Sequence, residues 1–151
     1  MTEQKQVIPE GYKQTEIGVI PNDWKVACVS DICEIYGRIG FRGYTKADIV
    51  SQEQGVLSIS PSNILDGNMN FTHGTYITKQ KYEESPEIKI FNADILLVKT
   101  GSTFGKTAIV RNLLENATLN PQVVVLKNLS CDNFFFSYMM QFSTIQDQIK
   151  N

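Results

Sequence analysis

A chain of 151 residues with 42% hydrophobic, 10% aromatic and 20% charged side chains has the size of one ordinary globular domain, long enough to bury a core without disulfide or metal staples. Its 14 basic and 16 acidic residues leave a formal net charge of −2, which excludes a wholly basic nucleic-acid binder but leaves room for a locally basic face. Cys28, Cys33 and Cys131 form no Cys-x-x-Cys pair, and His73 is the single histidine, so neither a disulfide framework nor a zinc site is predicted and a reduced, cytoplasmic setting is expected. The polar start has no signal-peptide pattern, and no run approaches the roughly 18–20 apolar residues of a membrane span.

Residues 1–10 read as a flexible polar lead, and residues 11–150 as a single domain. Residues 11–24 (GYKQTEIGVIPNDW) carry turn formers and predict no regular element, with Trp24 as a core anchor. Residues 29–36 (VSDICEIY) predict a short helix capped by Ser30 and closed by Gly37. Residues 36–46 (YGRIGFRGYTK) are too glycine-rich for a helix and predict a loop or hairpin. From residue 55 the alternation of Val56, Ser58 and Ser60 with Leu57 and Ile59 predicts a strand that Pro61 ends. Asp66-Gly67-Asn68 marks a tight turn, and residues 70–78 are again β-like. Residues 79–87 tolerate a helix, 93–98 predict a buried strand, 100–107 a polar glycine loop, and 108–110 and 122–127 further strands. Residues 133–151 predict one helix capped by Asn133, because Phe134, Phe135, Tyr138, Met139, Phe142, Ile145 and Ile149 recur at helical spacing. That stripe reads as core or as a partner-facing surface. The pattern as a whole predicts an α/β (α+β) fold: one β-rich, mixed-sheet domain with a few peripheral helices.

Two motifs suggest chemistry and fail on spacing. Residues 93–107 imitate a phosphate loop ending in Gly105-Lys106-Thr107, but only three residues separate Gly101 from Gly105 and a following helix is disfavoured. Asn120-Pro121-Gln122-Val123 lacks the second proline and the aromatic residue of an adenine-methyltransferase motif.

Charge placement is more informative. Arg38, Arg42 and Lys46 lie in an acid-free stretch, as do Lys99, Lys106 and Arg111. Both stretches contain glycines that let backbone N–H groups approach an anion, and aromatic residues Tyr36, Phe41, Tyr44 and Phe104 are interleaved with them. Such loops suit phosphate contact, and the alternative is two solvated loops on opposite faces.

Four ordered stretches then carry a resemblance. Gly11-Tyr12-Lys13 through Gly18-Val19-Ile20-Pro21-Asn22-Asp23-Trp24, residues 57–69 (LSISPSNILDGNM), residues 91–110 (FNADILLVKTGSTFGKTAIV) and the helix over 134–149 together resemble the target-recognition domain of type I restriction–modification specificity (S) subunits. Asn92 stands where that family often has glycine. The resemblance implies a non-catalytic reader of one half of a split duplex DNA target. It implies methyltransferase (M) and restriction (R) subunits as partners, with S-adenosylmethionine on the methyltransferase subunit and no cofactor in this chain. The family's subunit carries two recognition domains separated by long helices, so a solitary or truncated recognition domain is expected. On this reading Arg38, Arg42, Lys99 and Lys106 neutralise phosphates. Lys46, Ser60, Ser62, Asn63, Ser102, Thr103 and Gln122 are the candidate base readers, Asn63 suiting adenine and Lys46 guanine. Asn63 reads nearly as well as a turn residue after Pro61, and Gln122 similarly as a strand-edge residue. The alternative from another class is a protein-interaction domain that docks through its C-terminal apolar helix without touching DNA.

Overall fold

The computed structural model describes residues 7–39 and 42–151. Residues 1–6 of the flexible lead and Phe41 of the first basic loop lie outside the described residues. The chain divides into two units, Met1–Asp31 and Ile32–Asn151.

In the first unit β1 (Tyr12–Thr15) and β2 (Gly18–Pro21) form an antiparallel hairpin with Tyr12 opposite Pro21 and Thr15 opposite Gly18. The sequence predicts only turns here. The turn formers bound the strands instead of abolishing them: Gly18 supplies a φ of 120° at the hairpin bend, and Pro21 sits at the strand's last position. Lys13 Nζ donates to the Asn22 carbonyl, and the Thr15 hydroxyl to the Gly18 carbonyl. Trp24 is 61% exposed and is not a core anchor, because two four-residue strands build no second layer over an indole.

Helix α1 (Val29–Ile32) is a single turn. The predicted helix over 29–36 stops there, and Glu34–Gly37 is instead strand β3. Tertiary pairing overrides local helix preference: Ile35 and Tyr36 find Leu126 and Val125 across an antiparallel ladder. Gly37 does not cap a helix. It lets Val124 approach so closely that an added Cβ would lie 2.9 Å from its Cγ1.

The second unit holds β4 (Ile49–Val50), β5 (Gly55–Ile59), β6 (Ile64–Leu65), β7 (Asn68–Met69), β8 (Thr75–Thr78) and α2 (Lys79–Glu83). Then come β9 (Ile95–Val98), β10 (Thr107–Ile109), β11 (Ala117–Leu119), β12 (Val123–Lys127), α3 (Asn133–Met139) and α4 (Ser143–Lys150). One four-stranded sheet has the order β10-β9-β12-β3 and is antiparallel throughout. The other has the order β11-β5-β8-β4, with β11 parallel to β5 and the other pairs antiparallel. The predicted β-rich mixed α/β architecture is therefore the one observed. Asp66 and Gly67, with φ of 49° and 79°, make the tight turn between β6 and β7 that the sequence marks.

Both sheets feed one core. Leu57 and Ile59 of β5, Leu96 and Val98 of β9, Leu119 of β11, and Val123 and Val125 of β12 pack together almost wholly buried. Each such side chain stabilises the fold by about 1.5–3 kcal/mol. β11 is absent from the sequence reading: three residues are too short to show a period, and its pairing partner lies some sixty positions away.

The predicted C-terminal helix is two helices. Phe142 takes an extended backbone (φ −67°, ψ 141°) between α3 and α4. The cap of α3 is Asp132, which accepts from the Phe135 amide at 2.8 Å, and Asn133 instead donates from its side chain to the Ala93 carbonyl at 2.7 Å. Phe136 and Met140 are buried, whereas Phe134, Phe135, Tyr138 and Phe142 remain exposed.

Candidate functional site

The ladders bring many strand termini to one end of the second unit. Val98 pairs with Val123, Gly37 with Val124, Leu119 with Ile59, and Thr107 with Leu97. The segments that follow β3, β5, β9 and β11 therefore leave from the same end. Two backbone hydrogen bonds stitch these segments: the Asn120 amide donates to the Ile59 carbonyl and the Lys99 amide to the Gln122 carbonyl, each at 2.8 Å.

A cleft of about 350 Å³ opens there, lined by Ser60, Pro61, Ser62, Thr100, Gly101, Ser102, Thr103 and Gln122. Hydroxyls and one primary amide dominate it, and among the described residues no carboxylate lines it. A larger depression of about 450 Å³ lies at the opposite strand ends, lined by residues 90–92 and 113–116, including Glu115. Among the described residues no basic side chain lines it, and it gathers none of the predicted site residues.

Each wall of the cleft carries hydrogen bonds of its own. After β5, the Ser60 amide donates to Asn63 Oδ1 at 2.9 Å in a reciprocal capping box, and the Ser60 and Ser62 hydroxyls share a bond of 2.8 Å. The loop from β9 to β10 closes on itself through Gly105 N to Val98 O at 2.9 Å, Phe104 N to Gly101 O at 3.1 Å and Lys106 N to Thr103 O at 3.1 Å. Gly101 and Gly105 take φ of 101° and 88°, backbone that other residues adopt only under strain. A strand follows this loop where a phosphate loop requires a helix, which accounts for the failed motif. The third wall is the short crossing from β11 to β12, where Asn120 Oδ1 accepts from the Gln122 amide at 2.8 Å.

Five predicted readers therefore meet in one cleft: Ser60, Ser62, Ser102, Thr103 and Gln122. The Gln122 side-chain amide is exposed and makes no hydrogen bond within the described residues. Lys99 and Lys106 stand at the two ends of the glycine loop, and neither forms an ion pair among the described residues. Lys46 is exposed in the 3-10 turn Lys46–Asp48 and does not line the cleft. Arg42 pairs with Glu87 at 2.7 Å.

Two predicted site residues are turned inward. Arg38 is only 2% exposed. Its Nε donates to the Leu119 carbonyl, Nη2 to Thr118 Oγ1 and Nη1 to the Arg42 carbonyl, at 2.9, 3.0 and 2.9 Å. Burial pushes this guanidinium below its ordinary pKa, and Tyr44, Glu84, Glu87 and Asp48 oppose the shift. Asn63, also 2% exposed, donates to the carbonyls of Asn70 and His73 at 2.9 and 2.7 Å while accepting from Ser60. Its amide is committed within the protein, so the turn reading fits its position and the adenine-reading one does not.

Sequence reasoning missed Thr100 and the polar chain behind the cleft. Tyr44 lies beneath the Arg38 guanidinium at 5.5 Å, and its hydroxyl bonds to Ser58 Oγ at 2.9 Å and accepts from Asn120 Nδ2 at 3.1 Å. This chain joins the first basic loop to the segment that carries Gln122. Only the Asn-Pro turn signal at 120–121 hints at it.

No protein-family model matches the chain. It is 24% identical over 136 residues to the type I restriction enzyme MjaVIII specificity subunit of Methanocaldococcus jannaschii, covering 87% of this chain and 31% of that protein. It is 30% identical over 102 residues to the MjaX type I restriction enzyme specificity subunit of the same organism, covering 66% of this chain and 23% of that protein. The chain is thus a distant homologue of type I restriction enzyme specificity subunits over most of its own length, and spans less than a third of the relatives it matches.

Proposed function

We propose that this chain is a non-catalytic DNA target-recognition module that reads one half of a split duplex site, with the recognition domain running over residues 11–150. One observation carries the reading. Five polar side chains from three separate loops converge in an acid-free cleft with Lys99 and Lys106 at the ends of one of those loops.

Lys99 and Lys106 neutralise phosphates and set register, with Arg42 and Lys46 contributing from the first basic loop. Ser60, Ser62, Ser102, Thr103 and Gln122 face base edges. The unengaged amide of Gln122 offers a donor beside an acceptor, the pattern that matches adenine N7 and N6 in the major groove. Arg38 and Asn63 hold the loops and touch no DNA. As in the resemblance, methylation and cleavage belong to separate methyltransferase and restriction subunits. S-adenosylmethionine sits on the methyltransferase subunit, and the assembly works in the cytoplasm.

The test is selection of this chain against a random duplex pool at low salt, followed by sequencing. Enrichment of one short contiguous motif supports the reading. Lys99→Ala and Lys106→Ala then each reduce the slope of log affinity against log salt by about 0.9. Retention without enrichment leaves backbone binding alone and refutes sequence reading by this chain. Failure to bind at low salt refutes DNA contact. A second reading has its own observation. Phe134, Phe135, Tyr138 and Phe142 are exposed on α3 and the segment joining it to α4, which favours a protein contact there, and such a contact is insensitive to salt.

A further inference from the structure

The glycine loop of the cleft does not hold its shape alone. Helix α4 lies against it. The Gln146 side-chain nitrogen donates to the Gly105 carbonyl at 2.9 Å and to the Met140 carbonyl at 2.8 Å. One amide therefore ties the loop to the junction between α3 and α4. The fit is close. A Cβ added at Gly105 would meet Lys150 Cε at 3.3 Å, and Gln146 Oε1 and Ile149 Cγ2 at 3.4 Å. Gln141 makes a parallel contact, donating to the Thr107 hydroxyl and carbonyl at the loop's far end.

From this geometry we infer that Gln146 is a positioning residue for base discrimination: it acts through Gly105 to fix Ser102 and Thr103 in the cleft, and touches no DNA itself. The inference rests on the DNA-recognition reading above. The physical reason is preorganisation. A loop with two glycines at positive φ has many conformations of similar energy, and ordering it at the moment of binding would cost affinity for the correct site. Gln146 restricts the loop beforehand. Phosphate contact through flexible lysine stems tolerates a loosened loop, whereas hydroxyls directed at base edges do not. Loss of the clamp therefore lowers specific binding and leaves non-specific binding in place.

The experiment uses the whole chain as wild type, Gln146→Ala and the near-isosteric, uncharged Gln146→Met, which keeps the length but loses the donor. Backbone amide exchange is followed at Phe104, Gly105 and Lys106, the loop N–H groups with internal partners. Affinity is measured for the selected duplex and for a scrambled one across salt. With one hydrogen bond worth about 1 kcal/mol, both variants lose roughly fivefold in discrimination and exchange faster at the three amides. Scrambled-duplex affinity and its salt slope stay at the wild-type value. Unchanged exchange in both variants overturns the clamp. Faster exchange with intact discrimination overturns the positioning role and leaves DNA recognition standing. Equal losses on both duplexes also overturn it, since they mark a general structural defect. If the wild type selects no duplex, the recognition reading has failed and the positioning role falls with it, while exchange still reports whether Gln146 orders the loop.

Discussion

Replacing Arg38 separates a structural arginine from a phosphate-binding one. In Arg38→Ala the carbonyl of Leu119 and the hydroxyl of Thr118 lose buried donors, the Arg42 carbonyl loses a half-buried one, and the Tyr44 ring loses its cation. A buried acceptor left unsatisfied costs about 1–3 kcal/mol, although the Thr118 hydroxyl can rotate toward another partner. Release of the guanidinium's own desolvation offsets part of the loss. A net destabilisation of about 3 kcal/mol is expected, a large share of the 5–15 kcal/mol typical of such domains. At roughly 2–4 °C per kcal/mol, the melting midpoint falls by about 6–12 °C. Arg38→Lys keeps the charge but loses the fork, so an intermediate loss is expected. Urea denaturation measures the first quantity, and the salt slope of DNA binding, taken well below the melting midpoint, measures the second. A variant with wild-type stability and a salt slope reduced by about 0.9 would refute the assignment and return Arg38 to the phosphate backbone.

Other expectations are as sharp. Asn63→Ala removes three part-buried hydrogen bonds, to the Asn70 and His73 carbonyls and from the Ser60 amide, so it destabilises by about 2–4 kcal/mol in urea melts, while the exposed Ser62→Ala changes stability by less than about 0.5 kcal/mol. Ala93→Gly relieves a φ of 75° at a non-glycine residue and raises stability by about 1 kcal/mol by the same measurement; a loss would show that the Ala93 methyl group packs favourably. With an alkylating agent at pH 8, exposed Cys28 and Cys131 react quickly and buried Cys33 slowly, because burial and then the neighbouring Cys131 raise its thiol pKa and lower its thiolate fraction. Equal rates for all three would contradict that burial. Gln122→Glu exchanges the donor–acceptor pair for acceptors, so the selected motif changes at one position from adenine toward cytosine, read by sequencing the enriched pool.

Much of this protein follows from local pattern. The alternation after residue 55 produced β5, Pro61 ended it, Asp66-Gly67 turned the chain, and the acid-free glycine loop at 99–106 proved to be a wall of the cleft. The side chains of Ser60, Ser62, Ser102, Thr103 and Gln122 were legible as polar residues on loops, since hydrophobic period and turn chemistry act over a few neighbours. Their convergence was not legible, because it depends on the parallel pairing of β11 with β5 and on ladders linking residues dozens of positions apart. For the same reason composition identified Arg38 and Asn63 as polar groups suited to DNA but could not say which way they face. Whether a guanidinium meets solvent or three protein acceptors is decided by strands distant in sequence. The helix at 29–36 and the unbroken helix at 133–151 failed likewise: β12 claimed Ile35 and Tyr36, and Gln146 took the Met140 carbonyl where the final helix breaks. The sequence by itself determined β5, β9, β10, β12 and the turn at Asp66-Gly67, and the chemistry available on the loops between them. Only the tertiary structure decided which polar groups are consumed in holding the loops and which are left facing outward, because a buried hydrogen-bonding group must be satisfied by whatever partner the fold brings to it.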